Sequence, residues 1–200
     1  MAQRHEPPGA RSGVDWSGED ISAEAHSGVT FIDLDLSEAG NRGASFEECT
    51  FRGARFNVSV HENAAFVNCT FTGCTFYGAR FTDCKLIGST FDRCTFENVV
   101  VKGGNWSFVA LPGADLHTAS FRNVRLREAD LTEAVCTGGV MRELDLSGAL
   151  LRGADFTGCD LRGSDLSALD PLAVRLRGAI IDLGQTLLIA EALGLDVRED

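Results

Sequence analysis

An all-β solenoid closed by one short C-terminal α-helix is the fold this sequence predicts. Three observations predict it. Large apolar residues recur at every fifth position, small residues recur two positions before them, and both patterns stop together near residue 181.

Residues 1–13 (MAQRHEPPGARSG) show neither an apolar core nor a period and read as a disordered N-terminal segment without a signal-peptide core. The repeat occupies residues 14–183. Taking every fifth residue from Trp16 to Ile181 gives 34 positions, and only His26, Asn41, His61 and Pro171 among them are not apolar. Twelve of the 13 Phe and both Trp stand in this register. The position two before it reads Ala44, Cys49, Ala54, Ser59, Ala64, Cys69, Cys74, Ala79, Cys84, Ser89, Cys94 through the middle of the chain, and holds six of the seven Cys. A period of five fits neither a helix at 3.6 nor a flat strand at 2. It fits a coil that turns a corner every five residues. The large side chain fills the axis, and the small one packs near the corner. Gly and Asn, frequent two after the large residue, suit a turn that needs permissive backbone angles. Phe is preferred over Tyr because the axis offers no partner to a phenol hydroxyl. Where Asn41 and His61 break the pattern, a local bulge is expected, with Val60 inward and His61 facing out.

Residues 184–200 form the C-terminal helix and tail. Asp182–Gly194 reads as a short helix with Leu183, Leu187, Ile189 or Ala190, and Leu193 near one face and Gly194 as C-cap. A solenoid end exposes its core and strand edges and must be covered. The apolar side chains on so short a helix favour a two-fold contact between C-terminal ends, with Leu183, Leu187, Leu188 and Leu193 in the dimer interface. A monomeric cap is the alternative.

The net charge of −11 argues against directly bound nucleic acid, which needs a basic face. No apolar run reaches the roughly 20 residues that span a bilayer, so no membrane contact and a cytoplasmic location are expected. Seven Cys without a C-x-x-C pair favour neither a disulfide framework nor a zinc site. No nucleophile elbow, P-loop, zinc-protease or dinucleotide motif occurs, so no enzyme and no cofactor are expected. Sorted by face, the charges are uneven. The column Arg42, Lys102, Arg122, Arg142, Arg162 makes one face the least acidic.

The units Ala114-Asp115-Leu116, Ala129-Asp130-Leu131, Ala154-Asp155-Phe156 and Ser164-Asp165-Leu166 resemble the pentapeptide repeat family, whose pattern is A-[DN]-[LF]-x-x. The resemblance covers about residues 14–183. It implies a right-handed quadrilateral parallel β-helix of about eight coils, twenty residues each. With strands about 4.8 Å apart the rod is roughly 40 Å long. Residues twenty apart then stack, with Phe51, Phe71 and Phe91 in one ladder and Phe56, Phe76 and Phe96 in another. Cys49 lies over Cys69 and Cys74 over Cys94, at a spacing that permits a disulfide, although a small apolar filler is all the slot requires.

Cys84–Phe91, Leu126–Gly163 and the tail Gly178–Leu195 are similar to the MfpA and Qnr type within that family. This likeness implies a dimeric, DNA-shaped rod that binds DNA gyrase in place of DNA and protects it from quinolones or natural gyrase poisons. The chain has no projecting loop, which fits the loop-free MfpA type better than Qnr. Candidate gyrase-binding acidic residues are Asp115, Asp130, Asp145, Asp155, Asp165 and Asp170. A duplex of ~40 Å carries about 24 net charges, more than the net −11 of this chain. Imitation must therefore rest on the acidic faces or on a rod doubled by dimerisation. The alternative function is a repeat scaffold for an unrelated protein partner.

Overall fold

The structure, a computed structural model, describes residues 9–22 and 24–198. Its strands are three residues long, and each pairs in parallel with the strand twenty residues on: Phe31 with Phe51, Phe51 with Phe71, Phe71 with Phe91. One face is a five-stranded sheet running from Ala10–Ser12 to Thr90–Asp92. A second is a six-stranded sheet from Gly40–Arg42 to Val140–Arg142. A third holds three strands, Ala25–Ser27, Ser45–Glu47 and Ala65–Val67. The fourth is joined by single parallel bridges such as Asp15 to Asp35 and Asp35 to Arg55. This is the parallel β-solenoid that the fivefold pattern predicts.

The coil begins earlier than residue 14. Ala10–Ser12, expected within a disordered segment, pairs with Thr30–Ile32. Residues 1–8 of that segment lie outside the described residues.

The axis is filled by stacked rings. Centroids lie 4.9 Å apart for Phe51 and Phe71, 4.7 Å for Phe71 and Phe91, 4.7 Å for Phe56 and Phe76, and 5.5 Å for Phe76 and Phe96. All four pairs are within 20° of parallel, the offset-stacked regime that adds to area burial. The neighbouring ladders meet edge to face, as Phe51 and Phe56 do at 5.7 Å and 70°. The corners use positive φ at the second residue after most axial ones. Most occupants are Gly, Asn, Asp or Glu, but Val58 (φ 59°) and Phe108 (φ 60°) also adopt it, each about half exposed. Gly104 (φ 88°) is obligatory, because a Cβ there would lie 2.2 Å from the Cys84 carbonyl oxygen.

His61 and Asn41 do not bulge outward. His61 is 0% exposed and Asn41 3%, whereas Val60 is 40% exposed. The interior accepts them because every polar atom is paired. The Asn41 Nδ2 donates to His61 Nδ1 (3.0 Å), Asn41 Oδ1 accepts from the Ala44 amide (3.0 Å), and His61 Nε2 donates to Ser59 Oγ (2.9 Å). Ser59 in turn donates to the Phe56 carbonyl at 2.6 Å. The His61 ring stacks on Phe81 at 4.8 Å, taking the place of a phenylalanine in its ladder.

Pro171 breaks one ladder. Asp170-Pro171-Leu172-Ala173 is a β-turn in which the Asp170 carbonyl accepts from the Ala173 amide (3.0 Å), with Pro at its favoured second position. That carbonyl is then unavailable to Leu151. The equivalent bonds one and two coils earlier, Leu131 to Leu150 and Leu111 to Asp130, are both 2.8 Å. The coil lifts away, Gly153 bonds to Ala173 rather than to residue 172, and Leu172 is left 83% exposed. A cleft of about 490 Å³ lined by Leu150, Leu151 and Val174 opens there.

Burial lowers the pKa of His61 to about 3. The unfolded chain takes up this proton near 6.5, so folding stability falls as pH drops through the interval from 6.5 to 3. The paired carboxylates Asp35 and Asp160, lowered from 3.8 to about 2, lose their contribution only as pH falls through that lower range, largely beyond the acid end of the histidine's interval. Urea titrations between pH 6.5 and 4.5 should show a steep loss of stability in the wild type and a nearly flat line for His61→Phe.

Candidate protein-interaction surface

The six candidate aspartates do not share a face. Asp115 and Asp155 lie on the bridged face, Asp145 and Asp165 on the face of Ser45–Glu47, and Asp130 and Asp170 on the face of Thr50–Arg52. Only Asp145 and Asp165 are stacked in consecutive coils, as bridge partners. The structure therefore gives an acidic girdle rather than one acidic stripe.

Each of the six also performs a second task. Its Oδ1 accepts from the main-chain amide two residues on: Asp115 from His117 (3.2 Å), Asp130 from Thr132 (2.9 Å), Asp145 from Ser147 (3.2 Å), Asp155 from Thr157 (3.0 Å), Asp165 from Ser167 (2.9 Å) and Asp170 from Leu172 (2.9 Å). The carboxylate closes an Asx turn across the corner. This is why Asp precedes the axial residue so often. Hydrogen bonding from Thr157, by its side chain first and its amide second, holds the Asp155 carboxyl below its ordinary pKa, with a further contribution from Arg175 at 3.2 Å. At Asp115, partial burial opposes the His117 bonds, which win and lower the pKa.

The basic column is partly neutralised. Arg42 pairs with Glu62 (3.0 Å), and Arg162 (2.7 Å) and Arg142 (3.9 Å) both reach Asp160. Among the described residues Lys102 and Arg122 make no ion pair, so the middle of this face keeps positive charge. Of these, the Arg42–Glu62 pair is solvent-exposed and contributes little to stability.

The helix runs over Leu183–Ala192. Leu183 (89% exposed), Leu187, Leu188 and Leu193 all present apolar surface to solvent. Of the residues expected on one face, Ile189 packs against the core instead. The residues that fix the helix to the rod are Asp182 and Gln185. In the regular coil an amide such as Glu143 donates to the carbonyl nineteen residues on, Arg162 (3.1 Å), and a carbonyl such as Leu144 accepts from the amide twenty-one on, Asp165 (2.8 Å). At the last coil Gly163 donates instead to Asp182 Oδ2 (2.8 Å), and Gln185 Nε2 donates to the Ser164 and Leu161 carbonyls (2.7 Å each). The side chains thus stand where the backbone of a further coil would be. The same two residues form a capping box, and a D-x-x-Q spacing ahead of the apolar run was the signal for it. The other end closes with a Schellman pair, Leu195 to Ala190 (3.0 Å) and Gly194 to Glu191 (2.8 Å).

Charge and turn closure separate by substitution. Asp165→Asn keeps an acceptor oxygen and should leave the melting temperature nearly unchanged. Asp165→Lys removes it and should destabilise by about 1 kcal/mol, read by thermal denaturation.

Three sequence-family profiles match: "Pentapeptide repeats (9 copies)" over residues 41–86, "Pentapeptide repeat region" over 74–139 and "Pentapeptide repeats (8 copies)" over 129–167. No curated protein sequence matches. Among solved structures, the chain is similar to HetL of the cyanobacterium Nostoc, a pentapeptide repeat protein involved in heterocyst differentiation regulation (TM-score 0.72, 21% identity, 86% of this chain and 84% of that one). It is also similar to a trypsin-treated variant of QnrB1, a plasmid-mediated fluoroquinolone resistance protein (TM-score 0.55, 23% identity, 95% and 97% covered). The profiles together span 41–167, more than half of the 200 residues, and the chain belongs to the pentapeptide repeat family.

Proposed function

We propose that this protein is a non-catalytic, DNA-mimicking rod that binds DNA gyrase in the cytoplasm, competes with DNA, and protects the enzyme from quinolones or natural gyrase poisons. The observation that carries the reading is the acidic girdle on a smooth rod without projecting loops. QnrB1, whose fold is similar, is a fluoroquinolone resistance protein. The carboxylates at the corners and on three faces supply regularly spaced negative charge, as phosphates do along a duplex. Lys102 and Arg122 set the remaining face apart from that contact. A scaffold for a different protein partner is the second reading. HetL favours it, as a protein of the same fold with a part in differentiation.

Gyrase supercoiling should fall as the protein is added, and cleavage complexes formed with a quinolone should fall with it. Replacing Asp115, Asp130, Asp145, Asp155, Asp165 and Asp170 together by Asn removes six charges while keeping the turns, and should weaken inhibition at least about tenfold without unfolding the rod. No inhibition by wild type at micromolar protein sinks the proposal.

We further propose that the chain is a homodimer joined at its C-terminal ends. The helix presents Leu183, Leu187, Leu188 and Leu193 to solvent, and Leu195 and Val197 continue that surface. Isolated exposed leucines are ordinary, but contiguous ones mark contact surfaces. Light scattering should give twice the chain mass for wild type and the single-chain mass for Leu187→Asp with Leu193→Asp. An unchanged mass makes the helix a cap only.

A further inference from the structure

All seven cysteines are free thiols, and four of them stand in two vertical pairs. Thr75 and Thr95 are parallel bridge partners, and the Thr95 amide bonds to the Cys74 carbonyl at 3.1 Å. Cys74 and Cys94 therefore lie one above the other at the interstrand spacing of about 4.8 Å, inside the Cα range that a disulfide spans. Their sulfurs point the same way. Cys74 Sγ lies 3.5 Å from the Phe51 carbonyl oxygen and Cys94 Sγ lies 3.5 Å from that of Phe71, the equivalent atom one coil on. Cys49 and Cys69 repeat the arrangement one corner away, beside the paired Thr50 and Thr70.

The two pairs differ in access. Cys49 and Cys69 are each 1% exposed and Cys74 is 0% exposed, whereas Cys94 is only half-buried. It follows Arg93, which holds a positive φ of 53° and turns its side chain outward to Asp92 (2.9 Å). Cys94 is the one cysteine of the seven that is not buried. Contact with the Cys74 thiol lowers the pKa of Cys94 and raises that of Cys74, and contact with Cys69 likewise lowers that of Cys49, to about 7, so access rather than acidity separates the two pairs. Within each pair the thiol of lowered pKa is the better nucleophile, and of those two only Cys94 is not buried.

We propose that Cys94 and Cys74 form a hydroperoxide-responsive dithiol that closes to a disulfide between consecutive coils. The Cys94 thiolate attacks one peroxide oxygen. An S–O bond forms, the O–O bond breaks, and the departing oxygen leaves as water after taking a proton, which gives a sulfenic acid. Cys74 sulfur then attacks Cys94 sulfur. The S–S bond forms, the S–O bond breaks, the Cys74 proton goes to the leaving hydroxide, and a second water departs. Two thiols lose two electrons and two protons, and the peroxide takes them up. The bridge adds a covalent tie between coils already joined by main-chain hydrogen bonds, ring stacking and side-chain bonds such as Ser89 to the Phe66 carbonyl. A thiol reductant reverses it.

The test uses the full chain, hydrogen peroxide and intact-mass measurement, with peptide mapping. Wild type should lose two hydrogen masses, located on a peptide pair joining Cys74 and Cys94, and dithiothreitol should restore the starting mass. Cys94→Ser should abolish this and leave Cys74 unoxidised on the same timescale, and Cys74→Ser should leave a sulfenic acid at Cys94 that dimedone traps. Both variants should fold, because Ser59, Ser89 and Ser164 occupy the same buried slot in other coils. Cys49→Ser should not alter the rate. The proposal is overturned if the mass of wild type is unchanged, if Cys94 only gains oxygen without loss of hydrogen, or if Cys49 and Cys69 join as fast as Cys74 and Cys94.

Discussion

Each residue of this rod rests on the residue twenty further along the chain, and that register is the constraint from which the other features follow. It puts ring over ring along the axis and thiol over thiol near the corners. It also packs corner over corner. A Cβ on Gly148, Gly153 or Gly163 would come within 3.1 Å of Glu128, Glu133 or Glu143 of the preceding coil, so the glycine of one level makes room for the acid of another. Because the stack is direct, a change at one position is felt first by its copies above and below, and only then by its neighbours in sequence.

The axis was legible in the sequence because a five-residue period with a large apolar mark has one economical reading, and the Phe ladders stand where the period sets them. What misled was the treatment of single polar residues as exceptions. His61 breaks an apolar pattern, but an imidazole has nearly the shape of a phenyl ring, and with Asn41 and Ser59 beside it both of its nitrogens are satisfied. Periodicity counts polarity and is blind to such pairing. Pro171 kept the sequence phase, yet Asp170 ahead of it supplied a complete turn signal, and the local turn prevailed over the ladder. The early start at Ala10 was hidden because Arg11 occupies the axial register with a charged residue, and strand pairing through the main chain does not require an apolar side chain there.

The candidate site was legible only in composition. Counting carboxylates gave the charge but not its structural origin. The aspartates before the axial residues are hydrogen-bond acceptors for the turns, so the same atoms that close the coil also set its potential. A rod made from this unit becomes acidic as a by-product of folding. What distinguishes this chain is therefore the arrangement of the charge around the coil: three faces and the corners carry it, while the remaining face offsets it with bases.

The substitution of side chains for a missing coil at residues 182 and 185 has a consequence for size. An open parallel edge is a template, and a repeat stack could in principle lengthen without limit by adding the same unit from another molecule. Here the amide and the carbonyls facing outward at Gly163, Ser164 and Leu161 are already occupied. On this side of the last coil the chain's own side chains take the places that a further strand would need, so the edge is closed there by a carboxylate and an amide instead of by more repeat.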